Sequence, residues 1–365
     1  MVRRQTANLL FVSSILTGAS LSALPVVLLF FTVVRETMSS AVAFLRCSLL
    51  VCCASFVLAD GAAAQAKRTK RVKEPDWSVV ENALGRKGTP SPGGVVRVSF
   101  PRSDLNVLVH GVTLKPALAL GSWVAFQRIA DHAMVMGDLV LLETEVTTVM
   151  ASLQQNGVDQ TALHNHLLRE SPRVIYMHIH AIGNAERIAK AVRTALEFTN
   201  TPIGPPPSTN LAPTPTSTVP QAPAAAALDT TAVAKTLGIT GKMNGGVYQL
   251  SVTRRERICE EGQEIPPAMG VATAINFQPT AGGKAAATGD FVLLGREVNP
   301  VLWTLSENGI EVTAIHSHMI DEQPRLYFMH FWAVDDAAKL ARGLRAALDR
   351  TNRRTPSSKA RPCKR

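Results

Sequence analysis

Apolar residues return at every fourth position near the end of the chain, at Leu340, Leu344 and Leu348, with Arg342 and Arg345 between them. That spacing puts the leucines on one stripe of a helix over 336–348 and the arginines on its wet side. Ahead of it the period changes. Asp290-Phe-Val-Leu-Leu reads as a short apolar strand, Pro300–Asn308 as a helix stopped by Gly309, and Glu311–Met319 and Arg325–Ala333 as two more strands. The order is β-α-β-β-α, and strands such as Val247–Val252 and Ala272–Phe277 add to the same sheet. An α+β fold follows: an antiparallel sheet with helices packed on one face.

The same pattern occurs earlier in the chain. Ile188, Val192 and Leu196 reproduce the leucine stripe at a shift of 152, and Gly137-Asp138 matches Gly289-Asp290 at the same shift. Upstream, Pro116 and Phe126-Gln127 correspond to Pro267 and Phe277-Gln278 after one inserted residue. The chain is therefore a direct tandem repeat. A first repeat domain is expected over 75–200, a Pro-rich linker over 201–228 and a second repeat domain over 229–352, followed by a basic tail over 353–365. Duplication of this kind allows the two repeats to pack as a pseudo-dimer.

Within each repeat one segment is rich in chemistry: ALHNHLLRESPRVIYMHIHA at 162–181 and AIHSHMIDEQPRLYFMHFWA at 314–333. Side chains alternate along a strand, so His316 and His318 point the same way. A hairpin folded about Gln323 sets His316 opposite His330, His318 opposite Phe328 and Ala314 opposite Trp332. Three imidazoles then share a face, with Cβ atoms of facing residues roughly 4.5–5.5 Å apart, a spacing from which nitrogens can converge on one ion. His164, His166 and His178 form the equivalent set, and His180 stands where the second repeat has Trp332.

These six histidines are the expected ligands of a divalent transition metal such as zinc, one site per repeat. Glu170 and Glu322, on the connecting turn, are a fourth ligand or the general base of a metal-assisted hydrolysis. Arg173 and Arg325 either pair with that carboxylate or, with His180, hold an anionic ligand. The competing reading makes the histidines structural, in a non-enzymatic module for ligand or protein contact. Asp138 and Asp290 read as turn residues, Glu145 and Glu297 as carboxylates favouring a helix N-terminus, and Met177 and Met329 as core fillers on the opposite face.

Charge is concentrated at the ends. Residues 1–73 carry nine basic and two acidic side chains and residues 350–365 carry seven basic ones, so the net charge of +10 leaves the folded body mildly acidic. That distribution argues against a nucleic-acid reader. Ala7–Val34 is a charge-free apolar stretch, and residues 1–37 are either an over-extended start or a membrane helix. Residues 38–66 read as a signal peptide: Met38, Arg46, the apolar Cys47–Ala59, and small-x-small Ala64-Gln65-Ala66. An exported protein is expected, periplasmic or secreted, with a membrane tether if the first segment is retained. Its expected partner is a small ligand or an envelope component. Of the cysteines only Cys259 and Cys363 lie beyond the leader, and both are expected as free thiols.

The string AIHSHMIDEQPRLYFMHFWA followed by DDAAKLARGLRAALDRTN resembles the LppY/LpqO family of bacterial envelope proteins, built on a domain of unknown function. The resemblance covers both repeats and is stronger in the second. It implies export or lipoprotein character and brings no assigned catalytic residues. The first repeat departs from it at Glu170-Ser-Pro-Arg and at His180.

Overall fold

The period-two segments of the first repeat assemble into one six-stranded antiparallel sheet in the computed structural model, which describes residues 76–204 and 227–353. Its strands are β1 (Thr89–Ser91), β2 (Val95–Pro101), β5 (Gly121–Ile129), β6 (His132–Leu142), β9 (Val174–Gly183) and β7 (Asp159–His164), in that spatial order. The second repeat builds the same sheet from β10 (Lys242–Asn244), β11 (Val247–Val252), β14 (Thr273–Pro279), β15 (Ala285–Leu294), β17 (Leu326–Asp335) and β16 (Glu311–His316). Short ribbons stand beside them: β3 (Leu108–Val109) between β4 (Val112–Thr113) and β8 (Glu170–Ser171), and β12 (Cys259–Glu260) with β13 (Gln263–Glu264).

Helices cover one face of each sheet. In the first repeat these are α1 (Ser78–Leu84), α3 (Val146–Gln155) and α4 (Ala185–Leu196), while α2 (Pro116–Ala119) is a single turn. In the second they are α5 (Thr230–Leu237), α6 (Gly295–Glu307) and α7 (Ala337–Leu348). The leucine stripe does what its spacing requires: Leu340, Leu344 and Leu348 are buried against Phe291, Met329 and Phe331. Each such side chain contributes about 1.5–3 kcal/mol of apolar burial. Asp336 caps α7 by accepting from Lys339 N at 2.8 Å, and Asn184 caps α4 by accepting from Arg187 N at 2.9 Å.

The α+β tandem architecture is as the sequence implies, and Met177 and Met329 do lie in the two helix-side cores. Boundaries differ in three places by three residues or more. Strand β16 stops at His316 rather than Met319. Helix α6 begins at Gly295 rather than Pro300, because Glu297 accepts from Leu294 N at 2.8 Å and fixes the first turn there. Strand β15 begins at Ala285, which moves Asp290 from the expected turn to mid-strand.

Glu145 and Glu297 do more than favour a helix end. Each binds a buried arginine: Arg102 donates to Glu145 at 2.8 and 3.1 Å and to Val140 O at 2.8 Å. Arg254 repeats this with Glu297 at 2.8 and 3.0 Å and with Val292 O. The arrangement ties the loop after the second strand to the helix start in both repeats.

The helix-free faces of the two sheets meet. Two apolar clusters draw on both repeats, one around Met134, Met269, Val292 and Phe328 and the other around Leu118, Tyr176, Ala286 and Trp332. Paired bonds cross the seam: Arg97 donates to Ala268 O at 3.1 Å, and its counterpart Gln249 donates to Ala117 O at 2.8 Å. The expectations for residues 1–66, and most of those for the linker and the tail, lie outside the described residues. Among the described residues no helix is long and apolar enough to cross a membrane. Cys259, expected as a free thiol, is disulfide-bonded, and every other cysteine lies outside the described residues.

Candidate metal centre

The histidines of the two repeats do not form separate sites. They converge from both sheets on one place in the seam, because the face that carries them in each repeat is the face that packs against the other. His164 stacks with His316 at 3.6 Å between ring centroids, His166 with His330 at 3.8 Å, and His178 with His318 at 3.7 Å. The last two pairs exchange under the repeat shift, so the cluster has a pseudo-twofold axis through the first. One centre built by both repeats replaces the expected two.

Local register also differs from the expected hairpin. Ala314 lies opposite His330 and His316 opposite Phe328, with a bulge between Val312 and Ala314. The pairing is displaced by two residues, which leaves every side chain on its original face. A wide connection causes it: residues 317–325 form no tight turn, and Gln323 exchanges backbone bonds with Cys259 at 2.9 and 2.7 Å. Gln323-Pro324 is a cis peptide, as is Ser171-Pro172 in the first repeat. His318 therefore lies beyond the strand end and reaches the centre from the loop, as His166 does.

Two carboxylates complete the cluster, and both were expected as turn residues. Asp138 is the direct cross-strand partner of His178, and Asp290 of His330. The Asp138 oxygens lie 3.8 Å from His166 Nε2 and 3.9 Å from His178 Nε2. Asp290 lies 3.6 Å from His318 Nε2 and 4.0 Å from His330 Nδ1. A sequence signal was present: an aspartate inside an apolar strand run, repeated at the histidine offset.

Four overlapping groups bring nitrogen and oxygen atoms within 4.8 Å of one another: Asp138, His166 and His178; Asp290, His318 and His330; His164, His178, His316 and His318; and His164, His166 and His330. Some of the rings are already oriented. His164 Nδ1 faces Asn165 O at 3.1 Å and His330 Nδ1 faces Gly289 O at 3.1 Å, which leaves each Nε2 turned to the centre. Buried atoms without a protein hydrogen-bond partner include Asp138 Oδ1, Asp290 Oδ1, His316 Nδ1 and the Nε2 atoms of His164, His166, His178 and His330. Such atoms normally have partners, and a cation would satisfy them together.

The electrostatics of the centre point the same way. Burial pushes the Asp138 carboxyl up to about 7, partly opposed by Arg97, and burial with repulsion from Asp138 pushes Asp290 well above the usual carboxylate range. Burial lowers His164 to about 4, partly offset by its bond to Asn165 O. It lowers His330 to about 3, with His164 adding to the effect. His166, His178, His316 and His318 are depressed by burial and by the neighbouring imidazoles, His164 and His330 among them in each case. The site holds neutral imidazoles ready to donate lone pairs.

The other expected residues fall elsewhere. Glu322 is buried, but its carboxylate accepts from Leu326 N at 2.7 Å and from Arg325 at 3.3 Å. Glu170 accepts from Val174 N at 3.2 Å. Neither joins any of the four groups. Arg173 is exposed, and Arg325 clamps its own loop through Ile320 O at 2.7 Å and Ser317. His180 lies on the inner face beside His178 and meets Glu260 of the second repeat.

Fold and site together define a tandem-repeat α+β protein with a shared histidine-aspartate centre between its repeats. The family model described as "Domain of Unknown Function (DUF1259)" matches residues 78–198 and again 231–350, and the chain belongs to that family. These matches bear out a tandem domain of unknown function; they do not carry the narrower LppY/LpqO name. No curated protein matches the chain. Among solved structures, a trimeric bacterial microcompartment shell protein, PduB, aligns with TM-score 0.20 and 11% identity over 73% of this chain and 91% of that one. EtuB from Clostridium kluyveri aligns with TM-score 0.17 and 9% identity over 72% and 90%.

Proposed function

We propose that the protein binds divalent transition metal, zinc being the reference case, in a two-position centre shared by its repeats. Asp138, His166 and His178 would hold one position and Asp290, His318 and His330 the other, with His164 and His316 between them. The observation that carries this reading is the convergence of buried, unpartnered imidazole and carboxylate atoms from both sheets. Nitrogen-rich sets with one carboxylate suit zinc, iron and copper better than magnesium or calcium.

A bound ion would supply Lewis-acid polarisation of a carbonyl or phosphoryl oxygen, the basis of metal-assisted hydrolysis. The residues contribute orientation, through Gly289 O and Asn165 O, and exclusion of water by the two flanking apolar clusters. A narrow cleft lined by Trp123, Met136, Met269 and Met319 reaches His178 and His318 and has room for about one water molecule. We place this activity in the cell envelope, periplasmic or secreted, on the signal-like segment at 38–66 and the LppY/LpqO resemblance. A membrane tether through the N-terminal segment and a small-molecule or envelope partner belong to the same reading.

Elemental analysis of the purified full chain, beside His316→Ala and His164→Ala, tests it. Metal in the wild type that falls in both variants is the expected result. Metal-free protein whose stability is unchanged by chelator, and which takes up none on titration, would overturn it in favour of a structural role for the histidines.

A further inference from the structure

The two carboxylates of the centre are related by the pseudo-twofold axis, yet their neighbours are unlike. Trp123 on β5 is the cross-strand partner of Asp138, and Ala274 takes that place beside Asp290. Arg97 on β2 lies over the Trp123 ring, its guanidinium carbon 3.6 Å from the centroid. The ring is itself seated against the other repeat, since a Cβ on Gly270 would come within 2.9 Å of it. Arg97 also donates to Ala268 O at 3.1 Å, a bond that Gln249 reproduces with Ala117 O at 2.8 Å. A neutral amide suffices for that bond, so the seam has no need of the charge. Burial brings the guanidinium down to about 10, and it stays charged at neutral pH. Among the described residues Arg97 pairs with no carboxylate directly, and the one its charge acts on is Asp138; the charge acting on Asp290 is that of Asp138. One position of the centre thus has a fixed cation beside it and the other has none.

We propose that Arg97 makes the two metal positions unequal: the set of Asp290, His318 and His330 fills first and keeps its ion, while the set of Asp138, His166 and His178 takes a second ion weakly and exchanges it. This inference rests on the metal-binding reading of the centre. Its sign is the same whether or not Asp138 carries a proton. An ion that meets the ionised carboxylate adds two units of charge, and an ion that displaces the proton adds one; a neighbouring arginine opposes either. Arg97 and Asp138 stand two strands apart in the same sheet, about 10 Å by strand spacing. One unit of charge at that separation alters affinity about tenfold at an effective dielectric of about 20. Burial keeps salt from screening the effect. The protein would then hold one resident ion and one exchangeable ion in a centre whose ligands are otherwise matched.

Calorimetric titration of the metal-free full chain with zinc tests it when each position is read alone. Asp138→Asn leaves the Asp290 position complete, and Asp290→Asn leaves the Asp138 position complete. The second variant should bind its ion about tenfold more weakly than the first. Arg97→Gln, which copies Gln249, should tighten binding about tenfold in the Asp290→Asn background and leave it unchanged in the Asp138→Asn background. Arg97→Lys keeps the charge and should leave both affinities as they were. An Arg97→Lys effect as large as that of Arg97→Gln would show that packing, not charge, is responsible, and would overturn the proposal. Should Arg97→Gln fail to fold, Gln249→Arg makes the comparison from the other side: it should weaken the Asp290 position, and an unchanged affinity there would overturn the proposal equally. Zinc binding with equal affinities at the two positions marks failure of this inference alone, whereas a wild type that takes up no zinc overturns the metal-binding reading and this inference with it.

Discussion

Loading the central cluster with metal should release protons in a number that the buried environment sets. At pH 6, Asp138, raised to about 7, is about nine-tenths protonated, and Asp290 is raised well above the usual carboxylate range by burial and by repulsion from Asp138. The six histidines are neutral, since burial holds them all below their ordinary range. Ions that take Asp138 and Asp290 therefore displace protons from carboxyl groups, close to one of them from Asp138, and none from imidazole. Six histidines with ordinary pKa values would instead give up about four to five at the same pH. Calorimetry of zinc binding in two buffers of different ionisation enthalpy reads the number directly. The count should fall by about one near pH 8, where Asp138 is mostly ionised, and by about one at pH 6 in Asp138→Asn. A release of four or more at pH 6, or none, would refute the argument that burial has already neutralised the cluster.

Three further outcomes follow from packing and charge. Glu145→Gln removes the charge of one of the two carboxylates on buried Arg102, Asp104 remaining, and should cost about 1–3 kcal/mol in chemical denaturation; a change below about 0.5 kcal/mol would show the pair to be dispensable. Metal-free protein should lose stability as pH falls from about 6.5 to about 4, because the unfolded chain takes up six protons on the central histidines, more than the folded chain holds on its raised carboxyls Asp138, Asp290, Glu170, Glu260 and Glu322. Urea midpoints measured across that window check the sign, and a flat profile would contradict it. A Cβ at Gly289 would lie 1.9 Å from Ala274 O, so Gly289→Ala should cost about 3 kcal/mol and lower metal content by moving the carbonyl that orients His330. Unchanged melting and metal content would show that the strands can part there at no cost.

Periodicity and repetition made much of this architecture legible. The fourfold leucine spacing, the two-residue alternation and the constant shift between repeats depend only on neighbours along the chain, and so they specified helix stripes, strand faces and the duplication. They also singled out the six histidines of the central cluster: a register displaced by two leaves His164, His178, His316 and His330 on their expected face, while His166 and His318 reach it from loops beyond the strand ends. Asp138 and Asp290 escaped because the strand that carries each begins earlier than its apolar run, and a Gly-Asp step resembles a turn when its cross-strand partner is unseen. Glu260 left no trace, as the equivalent position in the first repeat is Val109.

What the sequence by itself determined is therefore local: which residues share a face, and that everything occurs twice. Only the tertiary structure decided that the two histidine faces meet, turning two expected sites into one, and that Glu322 is used up in its own turn while His180 finds a carboxylate across the seam. The physical reason is that packing of one sheet on another is fixed by the fit of whole surfaces, Met269 and Phe328 on one side of the cluster and Tyr176 and Trp332 on the other. Contacts between residues more than a hundred positions apart leave no periodic mark on the chain.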